Sequence, residues 1–124
     1  MKLKVLPFDF SVCKLPKDEA FACTEAFCFL SRTDEELSLV CPTRSVPAHT
    51  EAREDGWKAF RIEGVLDFGL VGILARIASI LAENGIPVFA VSTYNTDYLF
   101  LKEIYFDDAL WLLSKNGYEI SKPD

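Results

Sequence analysis

The stretch Asp67-Phe68-Gly69-Leu70-Val71-Gly72-Ile73-Leu74 begins a long amphipathic pattern, and this pattern decides the fold. Asn84-Gly85 ends the pattern, because glycine readily takes the left-handed conformation that follows a helix, and Pro87 comes next. The spacing therefore predicts a helix over 70–84. Its apolar side chains recur as a helix that covers one face of a sheet requires, at Leu70, Ile73, Leu74, Ile77, Ile80 and Leu81.

Strand patterns lie on both sides of this helix. Residues 58–63 alternate between apolar and polar side chains, which is typical of a half-buried strand. Residues 88–92 and 98–101 are two apolar runs joined by the polar turn Ser92-Thr93-Tyr94-Asn95-Thr96-Asp97. Two such runs separated by a short polar segment predict a hairpin.

A second helix and a last strand complete this C-terminal part. Asp107 is the expected N-cap of a helix that runs to about Asn116, with Phe106 as its hydrophobic staple. Gly117 ends this helix, and a strand follows at 118–120. The order strand–helix–strand–strand–helix–strand predicts an α+β unit, with a four-stranded antiparallel sheet and both helices on one face.

The N-terminal part carries strand patterns at 3–15, 26–30 and 37–41, followed by a polar loop over 42–54 with room for one helical turn. Pro7 indicates an edge or a bulge in the first of them. These patterns predict an N-terminal lobe over 1–55 and a C-terminal domain over 56–124. Residues 29–40 are also similar in character to 90–101 at an offset of 61, so the lobe can be a trimmed copy without the long first helix. Chance alternation in two strands explains that similarity nearly as well.

Composition excludes several classes of partner. The chain has 124 residues and a formal net charge of −6, and no cluster of lysine or arginine stands out. Binding to nucleic acid or to an anionic membrane surface would therefore lack its main driving force. The N-terminus has no continuous apolar segment of the secretory type, and no apolar run is long enough to span a bilayer. We expect a cytoplasmic protein.

The four cysteines, Cys13, Cys23, Cys28 and Cys41, lie in the first third of the chain, and their spacings match no zinc motif. We expect them to be reduced, as in other cytoplasmic proteins. Cys13, Cys28 and Cys41 fall in apolar runs and are expected to be small buried side chains. The sequence indicates neither a metal nor a cofactor.

The C-terminal part resembles an ACT domain, the small-molecule regulatory module of aspartate kinases and other enzymes of amino-acid metabolism. The resemblance covers about half of the chain and depends on residues 67–74, 84–88 and 92–98. The whole chain resembles small bacterial stand-alone proteins of the aspartate-kinase type, and it is similar to one half of the eukaryotic cytosolic arginine sensors. The resemblance implies a ferredoxin-like ACT sandwich (βαββαβ) with a truncated N-terminal ACT-like lobe, and a homodimer assembled through ACT lobes.

The resemblance also implies a binding site for a free amino acid. The ligand carboxylate would lie at the start of the first long helix, where backbone N–H groups are free, and its ammonium would lie near Asp97. From the residues alone, the glycines equally suit a tight turn, Asp67 a helix cap and Asp97 a solvated turn. The residues that match the site in the C-terminal part are Asp67, Gly69, Leu70, Thr93, Tyr94 and Asp97, and the pair that matches a contact from a partner lobe is Ser45-Val46.

These observations favour a non-catalytic, allosteric regulatory module that binds an amino acid and signals through the arrangement of its lobes or subunits. A second hypothesis is a ligand-free ACT module that dimerises or docks on a partner enzyme. A third is a thiol enzyme that uses Cys41 with His49, the one histidine of the chain. The sequence carries no orienting third residue or oxyanion motif for that chemistry, so we expect no enzymatic activity.

Overall fold

A computed structural model describes residues 1–64 and 72–123, which form two compact units. One unit comprises Met1–Pro7 with Lys58–Asp124, and the other is Phe8–Trp57. The strands are β1 Lys2–Val5, β2 Phe10–Leu15, β3 Phe29–Arg32, β4 Leu37–Pro42, β5 Ala52–Ile62, β6 Phe89–Ser92, β7 Asp97–Lys102 and β8 Glu119–Ser121, and the helices are α1 Ile73–Glu83 and α2 Glu103–Lys115.

The sheet of the first unit differs from the predicted one by an added strand. Its described strands lie in the order β6-β7-β5-β1-β8, and β1 pairs antiparallel with β5 and parallel with β8. The sequence predicts one continuous strand over 3–15, which is wrong because the chain leaves the strand conformation between Val5 and Phe10, around the exposed Pro7. β1 joins this sheet because Leu3 and Val5, which alternate with lysines, are both buried in its core.

Both helices and the strands β1, β5, β7 and β8 of this unit share one hydrophobic core, as an α+β sandwich requires. Phe60 and Ile62 of β5 are fully buried, and so are Leu99 and Leu101 of β7, whose alternation places them on the same face. Ile77 and Leu81 are the buried positions of α1. This arrangement is the ferredoxin-like ACT fold, and it confirms the predicted fold class.

The ends of the two helices confirm the predicted glycine stops. After α1, Gly85 has φ +70°, its N–H donates to the Ala82 carbonyl at 3.0 Å, and the Ile86 N–H donates to the Leu81 carbonyl at 3.0 Å. After α2, Gly117 has φ +95° and the Tyr118 N–H donates to Leu113 at 3.1 Å. Both are Schellman motifs, in which the left-handed residue lets the chain satisfy the last carbonyls of the helix.

A substitution at Gly85 tests this reading of the helix end. A Cβ there would meet no described atom within 4 Å, so the cost of Gly85→Ala is that of the left-handed backbone alone. We expect Gly85→Ala to lower the free energy of unfolding by about 1–2 kcal/mol, measured by urea denaturation. The matched control is Gly85→Asn, which tolerates the left-handed region better and should lose less. Equal losses for both variants would contradict the assignment.

The predicted start of the second helix is wrong. α2 begins at Glu103, directly after β7, so Asp107 lies inside the helix and does not cap it. Phe106, the expected staple, is a buried core residue of the helix. The sequence conceals this start because Lys102 stands at the N-cap position, where Ser, Thr, Asp or Asn would mark it. Glu103 in the first turn complements the positive end of the helix dipole.

The strands of the unit Phe8–Trp57 pair antiparallel in the order β3-β4-β2-β5. The predicted loop over 42–54 is wrong over 52–54, because β5 begins at Ala52 and pairs with β2. The first four residues of β5 are exposed, and three of them, Arg53, Glu54 and Asp55, are charged, so they show no apolar alternation. The predicted boundary between residues 55 and 56 therefore falls inside a strand.

This unit repeats the hairpin of the other unit. From Phe29 to Phe89 and from Leu37 to Asp97 is 60 residues in each case, so β3 corresponds to β6 and β4 to β7. The predicted offset of 61 is wrong by one residue, and a slip of one residue would turn every side chain to the opposite face. A loop over 16–28 stands where the first helix of the fold would be, and a single 3₁₀ turn, Thr43–Ser45, stands where the second would be.

The cysteines agree with prediction in part. Cys13 and Cys41 are free and buried, as expected, and they pack in the core of this unit. Cys23 and Cys28 form a disulfide, with their Cα atoms 5.8 Å apart, so the expectation of four reduced thiols is wrong. Cys28 precedes β3 and is only half-buried. The described ranges 1–64 and 72–123 contain no cluster of three or more His, Cys, Asp or Glu side chains placed to hold a metal ion.

Candidate functional site

The turn between β6 and β7 carries three of the predicted site residues, and its backbone is held by Thr93. The Thr93 N–H and its hydroxyl both donate to the Thr96 carbonyl, each at 2.9 Å. Thr33 makes the same backbone bond to Glu36 at 2.9 Å in the corresponding turn of the other unit. The described contacts of Thr93 therefore give it a structural role in forming the turn.

A buried hydrogen bond fixes this turn against the end of β5. Thr96 is buried, and its Oγ1 donates to the Ile62 carbonyl at 2.7 Å. Ile62 is the last residue of β5, and the chain continues from there into residues 65–71 and then α1. Three predicted site residues, Asp67, Gly69 and Leu70, fall in that segment and lie outside the described residues.

Asp97 and Tyr94 occupy different environments in this turn. Asp97 is half-buried at the start of β7, and its Oδ1 accepts a hydrogen bond of 2.5 Å from the Ser92 hydroxyl. Tyr94 is 82% exposed at the tip of the turn. A carboxylate that accepts a hydroxyl bond on one oxygen has further acceptor sites for a charge-assisted bond from a ligand cation.

Two charged residues at the end of β5 lie beside this hairpin, Arg61 in the strand and Glu63 directly after it, and the sequence analysis missed both. Arg61 donates to the Tyr98 hydroxyl at 3.4 Å and lies 3.6 Å from a Glu63 carboxylate oxygen. The bond to Tyr98 is the first cause of the raised pKa of the Arg61 guanidinium. Arg61 and Glu63 alternate with the buried Phe60 and Ile62, so strand periodicity places them on the face away from the core. The alternation of buried and charged residues over 60–63 could have identified Arg61 and Glu63 from the sequence.

A cleft of about 380 Å³ opens at the start of α1. Gly72, Ile73 and Arg76 line it from α1, and the chain after α2 and the N-terminus line the rest. Its volume lies at the lower end of the range for small-molecule sites, roughly 300–1,000 Å³. Thr93, Tyr94 and Asp97 are not among its described lining residues, which are Met1, Gly72, Ile73, Arg76, Asn116, Gly117 and Tyr118. The predicted helix over 70–84 starts at a residue outside the described ranges, and α1 begins at Ile73. Sequence reasoning missed Arg76, an exposed cation one turn into α1.

Ser45 and Val46, the predicted contact from a partner lobe, lie at the end of the 3₁₀ turn in the unit Phe8–Trp57. The Ser45 hydroxyl donates to a Glu25 carboxylate oxygen at 2.6 Å, and Arg44 lies 3.9 Å from the same oxygen. Val46 packs against the hydrophobic core of this unit, which includes Leu39. Within this unit the Ser45 hydroxyl is thus hydrogen-bonded to Glu25.

The thiol-enzyme hypothesis disagrees with the environment of Cys41. Cys41 is fully buried, and burial raises the pKa of its thiol to about 11, with the neighbouring Cys13 adding to the rise. A thiol with this pKa is almost entirely protonated near neutral pH, and the thiolate is the reactive form. His49 is exposed. This pair does not make an activated nucleophile.

Comparison with known proteins identifies the class of protein that this fold defines. Residues 52–115 match the family model of an ACT domain, which spans all of β5 and both helices. Residues 9–49 match a second model, of an N-terminal domain. The protein belongs to the ACT domain family, whose members are regulatory domains, so the chain is a regulatory module. No curated protein matches its sequence.

Solved structures agree with this assignment. A protein from Agrobacterium tumefaciens is 30% identical with a TM-score of 0.89, and the match covers 99% of this chain and 93% of that one. A Vibrio cholerae protein of unknown function, described as a possible transport protein, is 21% identical with a TM-score of 0.68, covering 92% and 88%. The aspartate kinase of Clostridium acetobutylicum, described as an allosteric enzyme, is 11% identical with a TM-score of 0.62, covering 91% and 33%. The last two similarities are similarities of fold alone.

Neither helix among the described residues is long and apolar enough to cross a membrane.

Proposed function

We propose that this protein binds a free amino acid reversibly, without chemical conversion, and that binding stabilises one arrangement of its lobes or subunits. The single observation that supports this most is the Thr96–Ile62 hydrogen bond, at 2.7 Å, which holds the β6–β7 turn at the end of β5. The segment 65–71 begins three residues after Ile62. We propose that Asp67, Gly69 and Leu70, which lie outside the described residues, complete a site with this turn.

The chemistry of this end of the sheet suits a zwitterion. Asp97 offers a carboxylate oxygen to the ligand ammonium or to a cationic side chain. The start of α1 offers backbone N–H groups and the guanidinium of Arg76 to the ligand carboxylate. A site that uses the carboxylates of both Asp67 and Asp97 would suit arginine or lysine, and the net charge of −6 steers cations toward the protein.

Assembly belongs to the same proposal. We propose a cytoplasmic homodimer that pairs ACT lobes, in which Ser45 and Val46 of one lobe complete the site of another. Ligand shared between lobes would then shift the population of the paired arrangement, which is how a binding module without catalysis transmits a signal.

A specific observation also favours the second candidate function, a ligand-free module that dimerises or docks on an enzyme. The polar groups of the β6–β7 turn are engaged within the turn itself, since Thr93 bonds Thr96 and Asp97 bonds Ser92. The described cleft is lined by other residues. In this alternative the hairpin is a structural corner, and Asp97 stabilises it through Ser92.

A thermal-shift screen against the twenty amino acids at millimolar concentration separates the two functions. Ligand at about 100 times its dissociation constant should stabilise the protein by roughly 2.7 kcal/mol, a rise of several degrees in Tm. We expect a selective rise with one amino acid or one chemical class. A flat response across all twenty from a well-folded protein would overturn amino-acid binding and leave the docking module.

A further inference from the structure

The loop that replaces the first helix of the unit Phe8–Trp57 is fastened at two places. Near its beginning, the Arg32 guanidinium donates to the Lys17 and Glu19 carbonyls, each at 2.8 Å. Near its end, the Cys23–Cys28 disulfide closes a short ring with a sequence separation of 5. Residues 18–28 form neither helix nor strand. The Arg32 hydrogen bonds and the disulfide therefore restrict the conformations that this loop can take.

The disulfide ring carries the side chains that reach the 3₁₀ turn. Glu25, inside the ring, accepts the 2.6 Å hydrogen bond from Ser45 and pairs with Arg44 at 3.9 Å. Phe27, also inside the ring, has φ +61° and packs on Phe8 with ring centroids 5.6 Å apart. Arg44 in turn lies over the Phe8 ring, 4.7 Å from its centroid. A left-handed phenylalanine is strained and needs a constraint to persist.

We propose that the Cys23–Cys28 disulfide is a redox-sensitive latch that holds Glu25 against Ser45, and that reduction releases both residues. Cys23 is exposed, so a thiol can reach its sulfur, whereas Cys13 and Cys41 are buried in the core. Disulfides in the cytoplasm, where we expect this protein, are usually transient and redox-sensing, and exposed ones are the labile ones. The latch stands on this geometry alone, while its effect on an amino-acid ligand of Ser45 rests on the proposed function.

The reductant is a dithiol, such as a thioredoxin-type protein or dithiothreitol. One of its thiolates attacks the exposed Cys23 sulfur, the Cys23–Cys28 bond breaks, and Cys28 leaves as a thiolate that takes up a proton. The second thiol of the reductant then attacks the mixed disulfide. Cys23 is released as a thiol, and the reductant becomes a disulfide. Two electrons and two protons pass to the protein.

Thiol counting on the folded protein tests the existence of the latch. After treatment with oxidised glutathione and desalting, we expect no thiol to react rapidly with a charged aromatic disulfide reagent. After dithiothreitol and desalting, two thiols should react, and unfolding the reduced protein should expose all four cysteines. The buried Cys13 and Cys41 stay slow because burial raises the pKa of both thiols. Two rapidly reacting thiols after the oxidising treatment would overturn the latch.

Hydrogen exchange tests what the latch holds. The Val46 N–H donates to the Thr43 carbonyl at 3.3 Å, next to the Glu25–Ser45 bond, and its exchange rate should rise at least tenfold on reduction. Glu25→Gln should show part of this rise in the oxidised protein. The matched control Glu19→Gln, in the same loop, should show none. An exchange rate that is unchanged on reduction, with unchanged circular dichroism, would overturn the proposal. No amino acid is present in these experiments, so their outcome is independent of the proposed function.

Discussion

Replacing Phe60 with alanine is expected to lower the free energy of unfolding by about 3–5 kcal/mol. Phe60 is fully buried in the core of the unit that contains both helices, pairs with Val5 in β1, and lies 6.4 Å from the Phe106 ring of α2. Truncation removes the buried ring and leaves a cavity between sheet and helix that the rigid β5 can close only in part. Because domains are stable by only about 5–15 kcal/mol, the loss is a large fraction of the total.

Urea denaturation followed by tryptophan fluorescence and circular dichroism measures this change. The matched control is Ile104→Ala, an apolar truncation at a side chain on α2 that is 82% exposed. We expect the control to stay within about 0.5 kcal/mol of the wild type. A loss below about 1.5 kcal/mol for Phe60→Ala would contradict the central place that the structure gives this residue.

Asp97→Asn is expected to reduce the thermal shift produced by the amino-acid ligand by about half or more, while leaving the protein folded. The variant keeps the shape and the hydrogen bond from Ser92 but removes the charge that would meet the ligand cation. Charged hydrogen bonds in ligand sites are worth about 1.5–3 kcal/mol, so affinity should fall by roughly one to two orders of magnitude. Thermal shift and calorimetry at matched ligand concentration measure both effects.

Ser92→Ala is the control that separates a ligand role from a structural one. It removes the 2.5 Å bond to Asp97 but keeps the carboxylate, so ligand binding should persist with at most a small loss. If Asp97 serves only to hold the hairpin, Ser92→Ala should weaken the ligand response more than Asp97→Asn, which keeps the hydrogen bond. A loss in Ser92→Ala as large as that in Asp97→Asn, or larger, would assign Asp97 to the turn and remove it from the site.

The helix ends illustrate what local sequence can predict. Asn84-Gly85 and Asn116-Gly117 each predict a helix end, and both helices end in Schellman motifs. These ends are predictable because the motif needs a residue that takes the left-handed conformation, which is usually glycine. The start of α2 has no such requirement, since β7 passes directly into the helix at Lys102-Glu103. The candidate cap, Asp107, fitted the local rule and was wrong.

Tertiary pairing explains most of what local pattern missed. β1 pairs with β5 and buries Leu3 and Val5 in the core. Nothing in the sequence of residues 2–5 indicates which strand they pair with. The exposed half of β5 is a strand only because β2 pairs with it. The repeat was detected by residue character, but its offset of 60, from Phe29 to Phe89, required the strand registers.

For the candidate site, sequence could indicate the turn residues but not the bonds that position them. The sequence of the polar turn did not indicate a special role for Thr96, yet its buried hydroxyl holds the turn against Ile62 through a hydrogen bond. Arg76 fits the helix pattern as an ordinary polar residue. Only the structure shows that it lines a cleft between α1 and the chain after α2. The disulfide is of the same kind, because the fold, and not the spacing, brings Cys23 and Cys28 together.

Isothermal titration calorimetry of the wild-type protein with the amino acid selected by the thermal-shift screen tests the central claim most directly. The account predicts saturable binding, a stoichiometry no higher than one ligand per chain, and ligand recovered chemically unchanged after prolonged incubation. The affinity should fall by roughly one to two orders of magnitude in Asp97→Asn and stay near the wild-type value in Ser92→Ala. Absence of binding heat with any of the twenty amino acids, or conversion of the ligand into a product, would contradict the account.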